Sequence, residues 1–276
     1  HHTRMGEYTY ACSDFKFKKG LVSATKTSGH TLQIADGLWL DKKFKAAMMK
    51  SIAQSELDRK RFVYSDIGFI LLQQVVEAVT GKTLDAYLVS EFYRPMGLEH
   101  TLFQPLNRYK KADIMPTAAN DYLRRQDLCG YVHDEAAAFM GGVSGNAGLF
   151  STAQELGKIY QMILNEGELD GKRYLRPETC RIFTTEKSAV SHRGLGYDKP
   201  NLKDPKANAC ASSAPASVYG HTGFTGTCAW VDPENDLVYI FLSNRLCPDA
   251  WNGKLNSMKI RQAIQEVIYQ SLYTPE

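Results

Sequence analysis

Apolar positions recur with a helical period along several stretches of this chain. The clearest stretch has Ile67, Ile70, Leu71, Val75, Ala78 and Val79 on one face, with Leu72 and Val76 widening it. That spacing predicts a well-buried helix. Ser65 or Asp66 stands where an N-cap belongs and Gly81 where a helix stops. Thr83 opens a second helix, with Leu84, Tyr87, Leu88 and Phe92 on one side and Pro95 and Gly97 beyond its end. Thr152-Ala-Gln-Glu155 is a capping box ahead of Leu156, Ile159, Tyr160, Ile163 and Leu164, and Gly167 is the stop. Pro177 starts a short helix through Phe183. Leu255 to Leu272 reads as one terminal amphipathic helix with Ile260, Ile264, Val267, Ile268 and Ser271 facing inward.

Strand patterns are fewer. Val218 to Val231 and Leu237 to Ser243 flank Asp232-Pro-Glu-Asn-Asp236, which is strong turn chemistry, so an antiparallel hairpin is expected. Residues 6–35 are polar and predict an irregular surface path. A weak helical pattern runs from Leu32 to Ser55. Residues 101–135 predict loops, and residues 184–217, rich in Lys, Pro, Asn, Ala and Ser, predict a long surface loop. There is no internal repeat and no clear linker. The pattern predicts an α+β fold, one folding unit of helices and an antiparallel sheet.

With 43% hydrophobic and 23% charged residues, the 276-residue chain can bury a full core. A net charge of +3, with no basic stripe, argues against nucleic acid as a partner. No apolar run is long enough to span a membrane. His1-His2-Thr3-Arg4-Met5 reads as a tag remnant, leaving residues 6–276 for fold reasoning. The six cysteines are scattered without a Cys-x-x-Cys pair, and the histidines lack ligand spacing. Free thiols, no metal and no cofactor are therefore expected. Gly141-Gly-Val-Ser-Gly-Asn-Ala-Gly148 lacks the Lys-Ser/Thr ending of a phosphate loop, so tight turns against a neighbouring element are the better reading.

Two places carry candidate chemistry. Tyr64 and Asp66 sit at the start of the central helix, where a reactive group would be held still; local sequence alone favours simple capping. His221 and Thr222, with Gly223 and Gly226, stand at a strand edge. They offer a side-chain donor, a hydroxyl and close backbone approach, the parts of an acyl-group site.

Taken in order, Tyr64-Ser-Asp-Ile-Gly-Phe-Ile-Leu-Leu, Val79-Thr-Gly-Lys, Phe92-Tyr-Arg-Pro-Met-Gly-Leu, Gly141 to Ala153 and Gly220-His-Thr-Gly-Phe-Thr-Gly-Thr resemble one superfamily. It is the serine β-lactamases and penicillin-binding proteins, in their class C and esterase-like branch. The likeness extends through Asp232-Pro-Glu-Asn-Asp and Phe241-Leu-Ser-Asn-Arg245. It points above all to the β-lactamase-like domains that bacteria fuse behind family 3 glycoside hydrolases.

The resemblance implies an antiparallel sheet flanked by helices with an all-helical lobe. The lobe would cover about 40–185, and the sheet hairpin and terminal helix about 215–273. It also implies a small ester, amide or peptidoglycan-like substrate and a periplasmic or secreted location. Three motifs meet in this family. Tyr64-Ser65-Asp66 matches the second, whose Tyr shuttles a proton; Asp66 replaces the commoner Asn and sets β-lactam turnover in question. His221-Thr222-Gly223 matches the third, and the N–H of Phe224 would serve the oxyanion.

The first motif, Ser-x-x-Lys at a helix start, has two textual matches, Ser13/Lys16 and Ser23/Lys26. With 17 Ser and 20 Lys in the chain, chance alone supplies about one such pair. Ser23 lies only 41 residues before Tyr64, too close for the family's order, and no apolar helix follows Lys26. The expectation is that the chain lacks the nucleophile motif and is amino-terminally truncated. The alternative is a non-catalytic scaffold or ligand-binding module on the same fold.

Overall fold

The computed structural model describes residues 12–13, 16–55 and 62–273. The described residues fall into two compact units. One holds the described residues up to Pro95, with Thr101–Phe150 and Cys247–Ala250. The other holds Met96–His100, Ser151–Leu246 and the residues from Trp251 onward.

The first unit begins with β1 (Cys12–Ser13) paired to β2 (Lys16–Phe17). Then β3 (Val22–Ser23), β4 (His30–Ala35) and β5 (Leu38–Asp41) form an antiparallel sheet in the order β3-β5-β4. The irregular path expected for 6–35 is thus corrected over its described residues, with 6–11 and 14–15 lying outside them, and the helical pattern expected from Leu32 to Ser55 gives way to strand up to Asp41. Asp36-Gly37 turns β4 into β5, with Gly37 at φ 58° in the left-handed region. Helix begins only at α1 (Phe44–Gln54), which turns Phe44, Met48 and Ile52 inward at a four-residue interval. They join Ile34, Leu40, Ile67, Ile70 and Phe139 in one core, where the Phe44 and Phe139 rings meet edge to face at 5.3 Å.

The central helix, α2 (Ile67–Thr80), ends on left-handed Gly81 as expected. Its buried face differs from the predicted one. Ile67, Ile70 and Gln73 point inward, whereas Leu72, Val75 and Val79 are exposed, Val79 by 80%. The reason is polar. Gln73 Nε2 donates to Val143 O (3.3 Å) and Glu77 Oε1 (2.9 Å), and Gln73 Oε1 accepts from Gly145 N (3.2 Å). α3 (Leu84–Leu88) continues through a π-type turn to Tyr93.

Residues 101–135 are less loose than expected. β6 (Pro116–Ala118) pairs with β7 (Leu128–Cys129). Between them a buried Arg124 grips Asp121 with two hydrogen bonds of 2.9 Å and donates to the Val132 carbonyl at 2.8 Å. Burial works against the Asp121 carboxylate, but Arg124 outweighs it and holds the carboxyl below its ordinary value. α4 (Glu135–Phe139) is capped by Asp134, which accepts from Ala137 N at 2.7 Å.

In the second unit, Thr152 caps α5 (Ala153–Leu164) by accepting from Glu155 N at 3.3 Å. The Glu155 carboxylate binds the amides of Glu99 and His100 at 2.9 and 3.0 Å. β8 (Glu168–Leu169) and β9 (Lys172–Arg173) form a short hairpin before α6 (Pro177–Thr185). The predicted two-strand hairpin is a three-stranded antiparallel sheet, because Gly223–Thr227 turns the first strand in two. The strands are β10 (Tyr219–Thr222), β11 (Cys228–Asp232) and β12 (Leu237–Phe241). β11 is buried along its whole length. Trp230 and Tyr239 pack with Tyr269 and Ile268 on one face, while Ile240 reaches Gly157 of α5.

The terminal helix is broken into α7 (Lys254–Ser257) and α8 (Ile260–Tyr273), with Lys259 at φ 50° between them. Gln265 and Tyr269 occupy the buried side, and the expected inward residues Ile264 and Val267 are exposed. Gln265 Oε1 accepts from Ala211 N at 2.8 Å, and Tyr269 donates to Asp232 Oδ2 at 2.9 Å.

Candidate functional site

The helix-end candidates lie in the first unit. Tyr64 is 56% exposed. Asp66 occupies the cap position of α2, but its backbone is already helical and its side chain makes no capping bond. Its carbonyl accepts from Phe69 N (3.0 Å) and Ile70 N (3.1 Å), which closes the first turn. The expected side-chain cap is therefore not formed by Asp66.

The glycine stretch after α4 packs against this helix. A Cβ on Gly145 would lie 2.2 Å from the Phe69 carbonyl oxygen, so only glycine allows the approach. Ser144 Oγ donates to Asn146 Oδ1 at 2.7 Å, and Asn146 Nδ2 to Asp134 Oδ1 at 3.0 Å. The stretch is a packed turn against a neighbouring element, as its sequence suggested.

The Ser-x-x-Lys candidates do not stand on a helix. Ser23 lies in β3 opposite Trp39, with its Oγ accepting from Thr25 N at 3.3 Å. Lys26 is exposed, its Nζ 5.5 Å from the centre of the Trp39 ring. Ser13 is paired with Lys16 across the β1–β2 hairpin.

The His-Thr-Gly candidates lie in the second unit, on the outer strand of its sheet. His221 pairs with Ala229 and Thr222 with Cys228. Gly220 has no room for a side chain, since a Cβ would meet the Ala229 carbonyl oxygen at 2.1 Å. The turn after Thr222 is closed by Gly223 N to Thr227 O (2.7 Å) and Gly226 N to Gly223 O (3.1 Å), with Gly226 at φ 119°. Arg261 Nη1 donates to Thr227 O at 2.9 Å and to Gly223 O at 3.3 Å. Arg245 Nε donates to Phe224 O at 2.7 Å, and its guanidinium stacks 4.3 Å from the Phe224 ring centre. Burial, with Arg261 close by, lowers the Arg245 pKa. Two cations thus fix the backbone orientation at Gly223 and Phe224, and the Phe224 side chain stays 66% exposed.

The loop before β10 also reaches this edge. Asp198 exchanges backbone hydrogen bonds with Gly220 (2.7 and 3.1 Å), and Arg193 Nη1 meets His221 Nε2 at 3.1 Å. Lys199 is buried and donates to Thr184 O at 2.6 Å. Burial, then Lys187, pushes its pKa down to about 8. Residues 184–217 form the long loop expected, but Asp198, Lys199, Asn208, Cys210 and Ala211 within it are buried rather than at the surface. Arg193, Asp198 and Arg261 were not singled out by the sequence. The loop's polar composition hid the first two, and Arg261 was read only as part of a helix.

Among the described residues, no cluster of three or more His, Cys, Asp or Glu is placed to hold a metal. No helix among them is long and apolar enough to cross a membrane.

A family model described as Beta-lactamase matches residues 24–256. A protein of Escherichia coli strain K12 named "Putative D-alanyl-D-alanine carboxypeptidase" is 38% identical over 197 residues, covering 67% of this chain and 45% of that protein. The chain thus spans about half the length of the curated relatives it matches. Among solved structures, a "putative beta-lactamase" of Bacteroides dorei DSM 17855 aligns with TM-score 0.54 at 16% identity, over 90% of this chain and 70% of that one. The octameric penicillin-binding protein homologue of Pyrococcus abyssi aligns with TM-score 0.51 at 16% identity, over 79% of this chain and 48% of that one. These structural likenesses support the mixed helix-and-sheet fold.

Proposed function

The chain belongs to the β-lactamase family, and on that footing we propose that it carries the second and third motifs of a serine hydrolase that works through an acyl-enzyme. The observation that carries this reading is the Gly220–Thr227 segment. Its glycines, the paired Asp198 backbone and two arginines hold His-Thr-Gly-Phe at the outer strand in one conformation. Preorganised backbone donors of this kind stabilise a developing oxyanion, because they need no reorganisation during reaction.

In this reading Tyr64 is the general base or proton shuttle, and Asp66 shapes the charge beside it. His221 and Thr222 position the substrate, and the Phe224 N–H serves the oxyanion, the Gly223 N–H being committed to Thr227 O. The relatives' carboxypeptidase names support a peptidoglycan-like amide within the ester and amide class. A glycoside hydrolase domain fused in the parent protein and a periplasmic or secreted location belong to the same proposal. The nucleophilic serine is assigned to sequence outside these 276 residues, since Ser23 lies on a strand rather than at a helix start. In a polypeptide that includes the nucleophile, Tyr64→Phe should lower the rate of ester hydrolysis by about 100-fold or more. An unchanged rate would remove Tyr64 from the mechanism.

A second reading is a binding module without turnover, favoured by the strand position of Ser23. The 276-residue chain should then take up no fluorophosphonate or penicillin label. An adduct on Ser23 found by peptide mass spectrometry would overturn both this reading and the assignment of the nucleophile elsewhere.

A further inference from the structure

Two contacts bear on which ring nitrogen of His221 carries its proton. Nδ1 lies 2.7 Å from the Thr222 carbonyl oxygen, and Nε2 lies 3.1 Å from Arg193 Nη1. A carbonyl oxygen can only accept and a guanidinium can only donate. Nδ1 must therefore donate and Nε2 must accept, which is one tautomer of the neutral imidazole. An imidazole protonated on Nε2, or on both nitrogens, would set an N–H against the guanidinium.

Arg193 is itself held by a built support. Asp198 is buried, and its Oδ2 lies 3.3 Å from Arg193 Nη2 while its Oδ1 meets His192 Nε2 at 2.9 Å. The same residue is sewn to Gly220, one position before His221, by two backbone hydrogen bonds. Lys199, the next residue, is anchored to the Thr184 carbonyl, and the Tyr197 and Tyr219 rings pack edge to face at 5.0 Å. The guanidinium is thus aimed at the imidazole by contacts on both sides of Arg193.

We infer that Arg193 is a positioning residue that fixes His221 in the Nδ1–H tautomer, with the Arg193 guanidinium facing Nε2. The consequence rests on the proposal that this strand binds substrate. An anionic group on a substrate would meet the charge of the loop before β10, while His221, with both ring nitrogens engaged within the protein, ties the strand edge to that loop.

The test needs no substrate and no turnover, so its failure would leave the hydrolase proposal standing, and the reverse also holds. The full chain is labelled with 15N-histidine, and ring protonation is read at pH 8 from long-range nitrogen–proton correlations. His221→Gln identifies the signal among the seven histidines. The expected result is a single His221 tautomer with the proton on Nδ1. Arg193→Met should lose that purity and show Nε2–H imidazole, and Arg193→Lys should restore it, because an ammonium also only donates. If the Met variant does not fold, Asp198→Asn removes the anchoring charge but keeps the backbone pair, and it should give the same mixture. A wild-type His221 protonated on Nε2 or on both nitrogens would overturn the inference. So would an unchanged tautomer in folded Arg193→Met or, in its place, Asp198→Asn.

Discussion

In α5, the apolar positions Leu156, Ile159, Tyr160, Ile163 and Leu164 are all partly buried, whereas in α2 the equally periodic Leu72, Val75 and Val79 are exposed. The difference lies in what each helix packs against. α5 meets the sheet through small and apolar groups, such as Gly157 against Ile240. α2 meets a glycine turn whose Val143 carbonyl and Gly145 amide need partners, and Gln73 supplies both. Leaving buried backbone groups unpaired costs about 1–3 kcal/mol each, enough to rotate a helix against the pull of its own valines. α8 repeats the case, with Gln265 turned in to the Ala211 amide and Val267 turned out.

Substitutions can break this contrast in order of size. Ile70→Ala, on the true inner face of α2, should cost about 2–5 kcal/mol in urea unfolding. Gly145→Ala should cost about 3 kcal/mol, because the new Cβ meets backbone at Phe69; a neutral result would mean the turn does not hold α2. Gln73→Leu should destabilise by about 1–3 kcal/mol despite its greater hydrophobicity. Val79→Ser should change stability by less than about 0.5 kcal/mol, and a larger loss would restore the simple periodic reading.

The buried cation Lys199 gives an effect confined to alkaline pH. Its unfolded form keeps a proton up to the ordinary value of 10.5, while the folded form releases it near the lowered value of about 8. Between those values the unfolded chain binds more protons, so stability should climb as pH rises through that window. Lys199→Met should flatten that climb in thermal melts taken between pH 8 and 10.5.

Much of the helical framework was legible because it rests on local signals. The Gly81 stop, the Thr152 cap and the Asp232–Asp236 turn need only near neighbours. The β3–β5 sheet was missed although Asp36-Gly37 marks its turn, because its strands are short and the segment before it is polar. Helix faces in α2 and α8 were misread because hydrophobic periodicity gives no weight to a glutamine with distant partners. At the candidate site, His221, Thr222, Gly223 and Phe224 could be found as one contiguous run. Arg193, Asp198 and Arg261 could not, because their roles depend on contacts between residues about 20 to 40 positions apart, which no local pattern encodes.

The pairing of Asp198 with Gly220 has one more effect. The outer strand of a sheet exposes amides and carbonyls that can template the addition of a foreign strand. By taking both the N–H and the C=O of Gly220, the loop occupies that docking position on β10. The backbone pair beside His221 therefore covers one ladder position of the outer strand, and a protein cut within this loop is expected to lose solubility along with the tautomer.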